Sequence, residues 1–275
     1  LYKAVIFYFS GTGNTWWVAE KIKKQLDSRN INADTVSVEK ADAKKADWWI
    51  KSADLVFFGW PVYGSDMPEP MKKFVDALLP IERGKHIHTF CTQAVFSGDG
   101  AWMYHRHFKN KGLTIDSAEH FIMPSNISSF RRIFAPPDDK TAEKIMKRCE
   151  ARVERYVTDL LTGKSRIRGR YSYPLGILQR APVRLFLDRF RSMVGVDKSR
   201  CVKCGICAQI CPADNIRMDD YPEFSGRCAL CFRCYALCPQ SAITVNGKPY
   251  APKNPDEKPY CIRDRRFKSS IQKKP

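Results

Sequence analysis

The chain has no apolar run near the roughly 20 residues needed to cross a bilayer; Ala4 to Phe9 and Leu55 to Trp60 are among its longest. A transmembrane helix is therefore not expected. It also has no low-complexity tract, and with 44% hydrophobic and 28% charged residues the 275-residue chain should fold, with length for two unequal domains. Its first residues lack the charged, apolar, then small-residue order of a secretory signal, so a cytoplasmic location is expected. Histidine is scarce. His86 and His88 alternate on an expected strand and His105 and His107 diverge on an expected helix, so all five histidines, His120 included, read as structural or surface. Gly-x-Gly-x-x-Gly and Gly-Lys-Ser/Thr loops are missing, which disfavours dinucleotide and ATP sites. Acidic residues are few, 29 against 47 Lys and Arg, yet no nucleic-acid module accompanies the net charge of +18, and nucleic acid is not an expected partner.

Cysteine, by contrast, is abundant: eleven, of which eight lie between residues 201 and 238. A reducing compartment and this clustering argue for metal ligation over disulfides. Cys201, Cys204, Cys207 and Cys211 follow the spacing C-x2-C-x2-C-x3-C, with Pro212 next. Cys228, Cys231, Cys234 and Cys238 repeat it 27 residues later, with Pro239 next. Asn215-Ile216 and Ala242-Ile243 repeat as well, as expected for two halves related by a pseudo-twofold axis. Soft thiolates in this order suit iron-sulfur cubanes, whereas four-cysteine zinc sites usually separate two C-x2-C pairs by a longer loop and do not need this order. Cys91, Cys149 and Cys261 are scattered and read as incidental thiols.

From about Val196 to Val245 the sequence resembles the bacterial two-cluster ferredoxins. The resemblance implies one [4Fe-4S] cluster on Cys201, Cys204, Cys207 and Cys238 and another on Cys228, Cys231, Cys234 and Cys211, with an isoleucine covering each.

Upstream, apolar runs alternate with segments of helical period, the pattern of a parallel sheet covered on both faces. Strands are expected at 4–9, 33–38, 54–59, 87–91 and 115–123, and helices near 15–28, 43–51, 70–79, 101–111 and 137–161. The first strand runs into Ser10-Gly11-Thr12-Gly13-Asn14-Thr15. Small and hydroxylic residues there would let backbone N–H groups and the side chains of Ser10, Thr12, Asn14 and Thr15 converge on an anion at the positive end of a helix. No Lys or Arg is present, so dipoles would meet the charge.

This loop resembles the phosphate loop of the flavodoxin family, over about residues 3–161. The resemblance implies a doubly wound five-stranded parallel α/β sheet in order 2-1-3-4-5, with FMN at the carboxyl ends of its strands. It implies an isoalloxazine ring between Trp60-Pro61-Val62-Tyr63-Gly64 and Thr92-Gln93-Ala94-Val95-Phe96-Ser97-Gly98-Asp99-Gly100. Tyr63 or Trp60 would flank one ring face, and the backbone from Phe96 to Gly100 would approach the other. Trp16 and Trp17, bulky for this position, are assigned to helix packing.

The whole chain resembles flavodoxin-ferredoxin fusion proteins found mainly in anaerobes. The expected layout is an FMN domain at 1–163, a basic amphipathic linker at 164–196, an α+β two-cluster ferredoxin-like domain at 197–247 and a basic tail at 248–275. In the linker, Val183, Phe186, Leu187, Phe190 and Val194 are expected to pack inward from a helix starting at Pro182, with Arg180, Arg184, Arg189 and Arg191 among or beside them. The tail should wrap the ferredoxin unit or stay mobile.

Three functions fit. The first is an electron-transfer iron-sulfur flavoprotein serving a redox partner protein, with the basic face favouring an acidic one. The second is a self-contained oxidoreductase acting on a small molecule or quinone. The third is a structural module whose clusters are staples. Peripheral contact with a membrane fits the basic linker, and no catalytic residue is identified.

Overall fold

The computed structural model describes residues 2–81, 84–126, 136–250 and 259–272, with the Ala43 side chain excluded. Five parallel strands, β1 (Lys3–Tyr8), β2 (Asn32–Ser37), β3 (Leu55–Pro61), β4 (Lys85–Gln93) and β5 (Leu113–Ile122), form one sheet in the order β2-β1-β3-β4-β5. Helices α1 (Asn14–Asp27), α2 (Ala43–Ser52), α3 (Glu69–Ala77), α4 (His105–Asn110) and α5 (Asp139–Leu161) connect and close it. The doubly wound α/β expectation and its strand order hold, and β1, β3 and β4 are buried on both faces, covered by helices on each side. Two cores result: Phe7, Phe58, Trp60 and Phe74 on one face, and Ile6, Ile22, Phe57 and Phe121 on the other. The fourth helix starts four residues later than expected, since residues 101–104 form turns before His105.

After α5 the chain returns to the sheet edge. Ala118 donates its N–H to the Arg166 carbonyl, and Arg168 donates to the Ala118 carbonyl. The linker then forms α6 (Tyr173–Leu185) and α7 (Leu187–Arg191). Helix α6 begins nine residues before Pro182, which lies inside it, and the turn breaks at Phe186 instead. Arg180 points inward rather than out. Its guanidinium grips Asp99 at 2.5 and 2.9 Å, both groups being buried, because a carboxylate with no exposed surface requires a charged donor.

The C-terminal unit is small: β6 (Val194–Val196), α8 (Ile206–Gln209), β7 (Ile216–Met218), β8 (Pro222–Phe224), α9 (Arg233–Leu237), β9 (Ile243–Val245) and β10 (Lys248–Pro249). Strands β10-β9-β6 and β7-β8 form two antiparallel sheets.

Part of the expected tail, 251–258 and 273–275, lies outside the described residues. Of its described parts, 248–250 packs on the cysteine-rich unit, where Lys248–Pro249 pairs with β9 and Tyr250 joins its core, while 259–272 packs mainly on the first unit. Helix α10 (Arg265–Ile271) sets Phe267, fully buried, 5.6 Å from Trp16, which explains the bulky residue after the phosphate loop. Trp17 is half-buried beneath the Lys21 ammonium, 4.9 Å from the ring centroid.

His88 and His120 are buried in the sheet, against Ser117 Oγ at 3.0 Å and accepting the Ala101 N–H at 3.1 Å. Burial holds both at a pKa of about 4; Arg168 and Arg152 add to this at His120, while Asp116 opposes it at His88. Folded values below the unfolded value mean that stability is lost as pH falls from about 6.5 toward about 4, by up to about 1.4 kcal/mol per unit for each ring. Replacing both with Gln should flatten this slope, as read from denaturant midpoints on either side of that window.

Candidate functional site

The loops after β1, β3 and β4 meet at one end of the sheet. Ser10, Gly11, Thr12, Asn14 and Thr15 line a small cavity with Pro61, Val62, Tyr63 and Thr92. Gly13 adopts φ 103°, which L side chains rarely adopt, and caps α1, so the loop can aim its amides inward. Ser10 Oγ is buried and has no hydrogen-bond partner among the described residues. An orphaned hydroxyl inside a cradle of amides fits an anionic ligand. The other polar side chains are already engaged. Thr15 Oγ1 bonds Thr92 Oγ1 at 2.8 Å, Asn126 donates to Thr12 Oγ1 at 2.9 Å, and Asn14 donates to the Pro124 carbonyl and accepts from the Tyr260 hydroxyl. Asn14 is thus a strut of the loop rather than a free donor.

Continuous with this cradle through Val62, Tyr63, Gln93 and Ala94 is a cavity of about 330 Å³, within the ~300–1,000 Å³ range of small-molecule sites. Tyr63, Gly64, Gln93, Phe96 and Ser97 line it. Its opposite wall comes from elsewhere: Val183, Phe190 and Met193 of the linker, and Leu230 and Phe232 of the cysteine-rich unit. Sequence reasoning did not place these, since only the docking of the two units brings them to the flavodoxin-like loops.

Other expected ring contacts lie elsewhere. Trp60 is fully buried and stacks on Phe108 at 6.2 Å, because its place on β3 points into the core. Gly98, Asp99 and Gly100 do not line the cavity. Gly98 backs onto Gly176, Asp99 is held by Arg180, and Gly100 packs on Ser97, Cys91 and His120. Asp99 therefore anchors α6.

The eight motif cysteines stand around two cavities. Cys201, Cys204, Cys207 and Cys238 line one with Ile243; Cys211, Cys228, Cys231 and Cys234 line the other with Ile216. Among the described residues no three His, Cys, Asp or Glu side chains converge on a single-ion site. The pseudo-twofold extends to the backbone: Lys203 and Gly205 flank Cys204 at φ 57° and 71°, while Leu230 and Phe232 flank Cys231 at 55° and 56°. Asn215 donates its N–H to Cys211 Sγ at 3.3 Å, and Ala242 matches it on Cys238 at 3.2 Å. Burial raises the thiols, Cys207 to about 11, Cys231 to about 12 and Cys234 well above normal. They stay neutral until a cation takes them as thiolates. All eleven cysteines are free.

One side chain joins the two sites. Arg233, between Cys231 and Cys234, has no exposed surface. Its guanidinium donates to the Ser10 carbonyl at 2.6 Å, the Gly11 carbonyl at 3.2 Å and the Ile210 carbonyl at 3.1 Å, and pairs with Glu39 at 2.7 Å. Beside it, a Cβ on Gly11 would lie 2.7 Å from the Cys231 carbonyl and 2.0 Å from the Tyr63 hydroxyl. Only glycine permits this approach.

A flavodoxin-domain model matches residues 5–122 and a 4Fe-4S binding-domain model matches residues 194–217. No curated protein matches the chain. Among solved structures it is similar to a short-chain flavodoxin associated with a non-canonical PDU bacterial microcompartment, at 18% identity and TM-score 0.42, over 60% of this chain and 100% of that one. It is also similar to a flavodoxin from the domain Archaea, at 24% identity and TM-score 0.38, over 57% and 99%. A third is the flavodoxin of Streptococcus pneumonia TIGR4, at 16% identity and TM-score 0.41, over 59% and 99%. The chain is a flavodoxin-like domain followed by a 4Fe-4S domain. That combination defines an iron-sulfur flavoprotein of electron transport, with FMN and at least one [4Fe-4S] cluster as its implied cofactors.

Replacing Arg233 with Met would leave Glu39 facing an uncompensated junction. It should cost about 3–5 kcal/mol, measured by denaturant unfolding, and the added change Glu39→Gln should recover part of the loss.

Proposed function

We propose that the protein relays electrons between two [4Fe-4S] clusters and FMN, as a reductase component or redox partner in anaerobic metabolism. The observation that carries this reading is the contact of the Cys231 backbone with Gly11, which puts one thiol set directly against the phosphate loop. When bound, FMN would exchange one or two electrons and each cluster one at a time, so that joining them interconverts the two modes. The first thiol set, on Cys201, Cys204, Cys207 and Cys238, includes the exposed Cys204 and is the outer one. The second, on Cys211, Cys228, Cys231 and Cys234, is the inner one. Outer set, inner set and cleft stand in series.

The chain's own residues do three jobs in this scheme. Ser10 Oγ and the loop amides hold the phosphate, with the Arg233 bonds to the Ser10 and Gly11 carbonyls polarising those peptides toward better donors. Tyr63 and Phe232 offer aromatic faces to the ring. Val183, Phe190 and Met193 give the cleft an apolar wall opposite the strand loops.

The layout of FMN domain, linker, cluster domain and tail near 1–163, 164–196, 197–247 and 248–275 is part of this proposal. So is a cytoplasmic location, which free thiols suit. No described helix is long and apolar enough to cross a membrane.

Purified without oxygen, each chain should carry about eight iron, about eight sulfide and about one FMN, the content of two four-iron cubanes. Cys204→Ser and Cys231→Ser should each halve the iron. Zinc in place of iron, or clusters that never change oxidation state in a redox titration, would refute the relay. Ser10→Ala should weaken FMN binding roughly tenfold or more, the worth of one hydrogen bond to a charged group, as read by flavin fluorescence.

A further inference from the structure

Helix α6 is inside out. Its buried stripe consists of Gly176 and Arg180, with half-buried Val183 beside the cleft and Gln179 near Ser65. Its water-facing stripe is apolar. Leu175, Leu178 and Leu185 are 44, 70 and 80% exposed, and exposed Pro174, Ala181 and Pro182 lie among them. At 3.6 residues per turn these six side chains occupy about 120° of arc on the face opposite Arg180. Tyr171, 91% exposed, and Phe186, 53% exposed, stand at the two ends. A helix on the surface of a globular protein has the reverse arrangement. The inversion has a local cause, since Asp99 requires Arg180 on the inner face. That requirement does not explain why leucines fill the outer one.

The surroundings indicate what covers this face. Residues 164–191 hold eight basic side chains and a single acid, Asp188. Arg180 and Arg184 are paired with Asp99 and Asp66, and Arg168 with Glu119. Arg166, Arg170 and Arg189 pair with no carboxylate among the described residues and are exposed, Arg170 three residues before α6 and Arg189 four after it. An apolar ridge about 20 Å long, closed by aromatics and flanked by unpaired arginines, has the make-up of a helix that lies in a membrane interface. The aromatic ends would sit at headgroup level and the arginines would meet lipid phosphates. A protein partner would have to offer a long groove at once apolar within and acidic at both rims.

We propose that α6 docks the protein on an anionic lipid bilayer, lying flat with Leu175, Leu178 and Leu185 among the acyl chains. This is independent of the redox reading: neither the clusters nor FMN enter the argument.

The test is co-sedimentation of the full-length protein with phosphatidylcholine vesicles, with and without phosphatidylglycerol, at low and high salt. Pelleting is expected with the anionic vesicles only, and it should weaken as salt rises. Leu178→Glu with Leu185→Glu should reduce it roughly tenfold or more by removing apolar insertion, and Arg170→Glu with Arg189→Glu should do so by removing charge attraction. Unchanged cleft residues and unchanged circular dichroism serve as the folding control for both variants. Wild-type protein left in the supernatant overturns the proposal. So does pelleting that the leucine changes leave intact, which would be simple adsorption of a basic protein. A dimer that the leucine changes dissociate, without vesicle binding, would assign the face to a second copy. Retention on polyglutamate that depends on those leucines, again without vesicle binding, would assign it to an acidic protein.

Discussion

A single buried guanidinium determines how this protein fits together. Arg233 belongs to the cluster loop by sequence and to the phosphate loop by bonding, since the Ser10 and Gly11 carbonyls and Glu39 surround it. Buried charge is tolerated only when its donors are satisfied, and here the acceptors come from both units. The cysteine-rich unit therefore cannot drift from the sheet without stranding a cation. The placement of Cys231 against Gly11 and the wall that Leu230 and Phe232 give to the cleft both depend on that restraint.

The linker adds a second clamp of similar chemistry. Asp99 and Arg180 lock α6 over the fourth-strand loop, and Asp66 with Arg184 does the same over the third. Burial opposes ionisation of Asp66, but the Arg184 and Lys72 groups outweigh it and hold the carboxyl below its usual range. Both loops that border the cleft are thus fixed from outside by arginines of one helix, so cleft geometry and linker position are mechanically one thing.

What the sequence disclosed, and what it hid, divides along physical lines. The sheet was legible because unbroken apolar runs and period-3.6 segments respond to local burial, and the cysteine spacing was legible because ligand geometry imposes it. The Cys201, Cys204, Cys207 and Cys238 grouping and its counterpart recur as the linings of two cavities, each with its isoleucine. Trp60 was misjudged because a strand-end aromatic can face either way, and only its stacking with Phe108 decides. The direction of Arg180 depended on a carboxylate 81 positions away, and the tail's docking depended on a contact between the Trp16 and Phe267 rings, more than 240 positions apart. Neither leaves a periodic trace.

The left-handed backbone at Leu230 and Phe232 has one more consequence. Bulky residues rarely hold that conformation, which costs about 1–2 kcal/mol each; here both side chains line the cleft and Phe232 also stands edge-on to Tyr235. The turn around Cys231 keeps its shape through what it encloses and what it abuts. The cysteine loop and the cleft wall therefore share one piece of backbone, and a change that relaxes Leu230 or Phe232 to an ordinary conformation would reshape both at once.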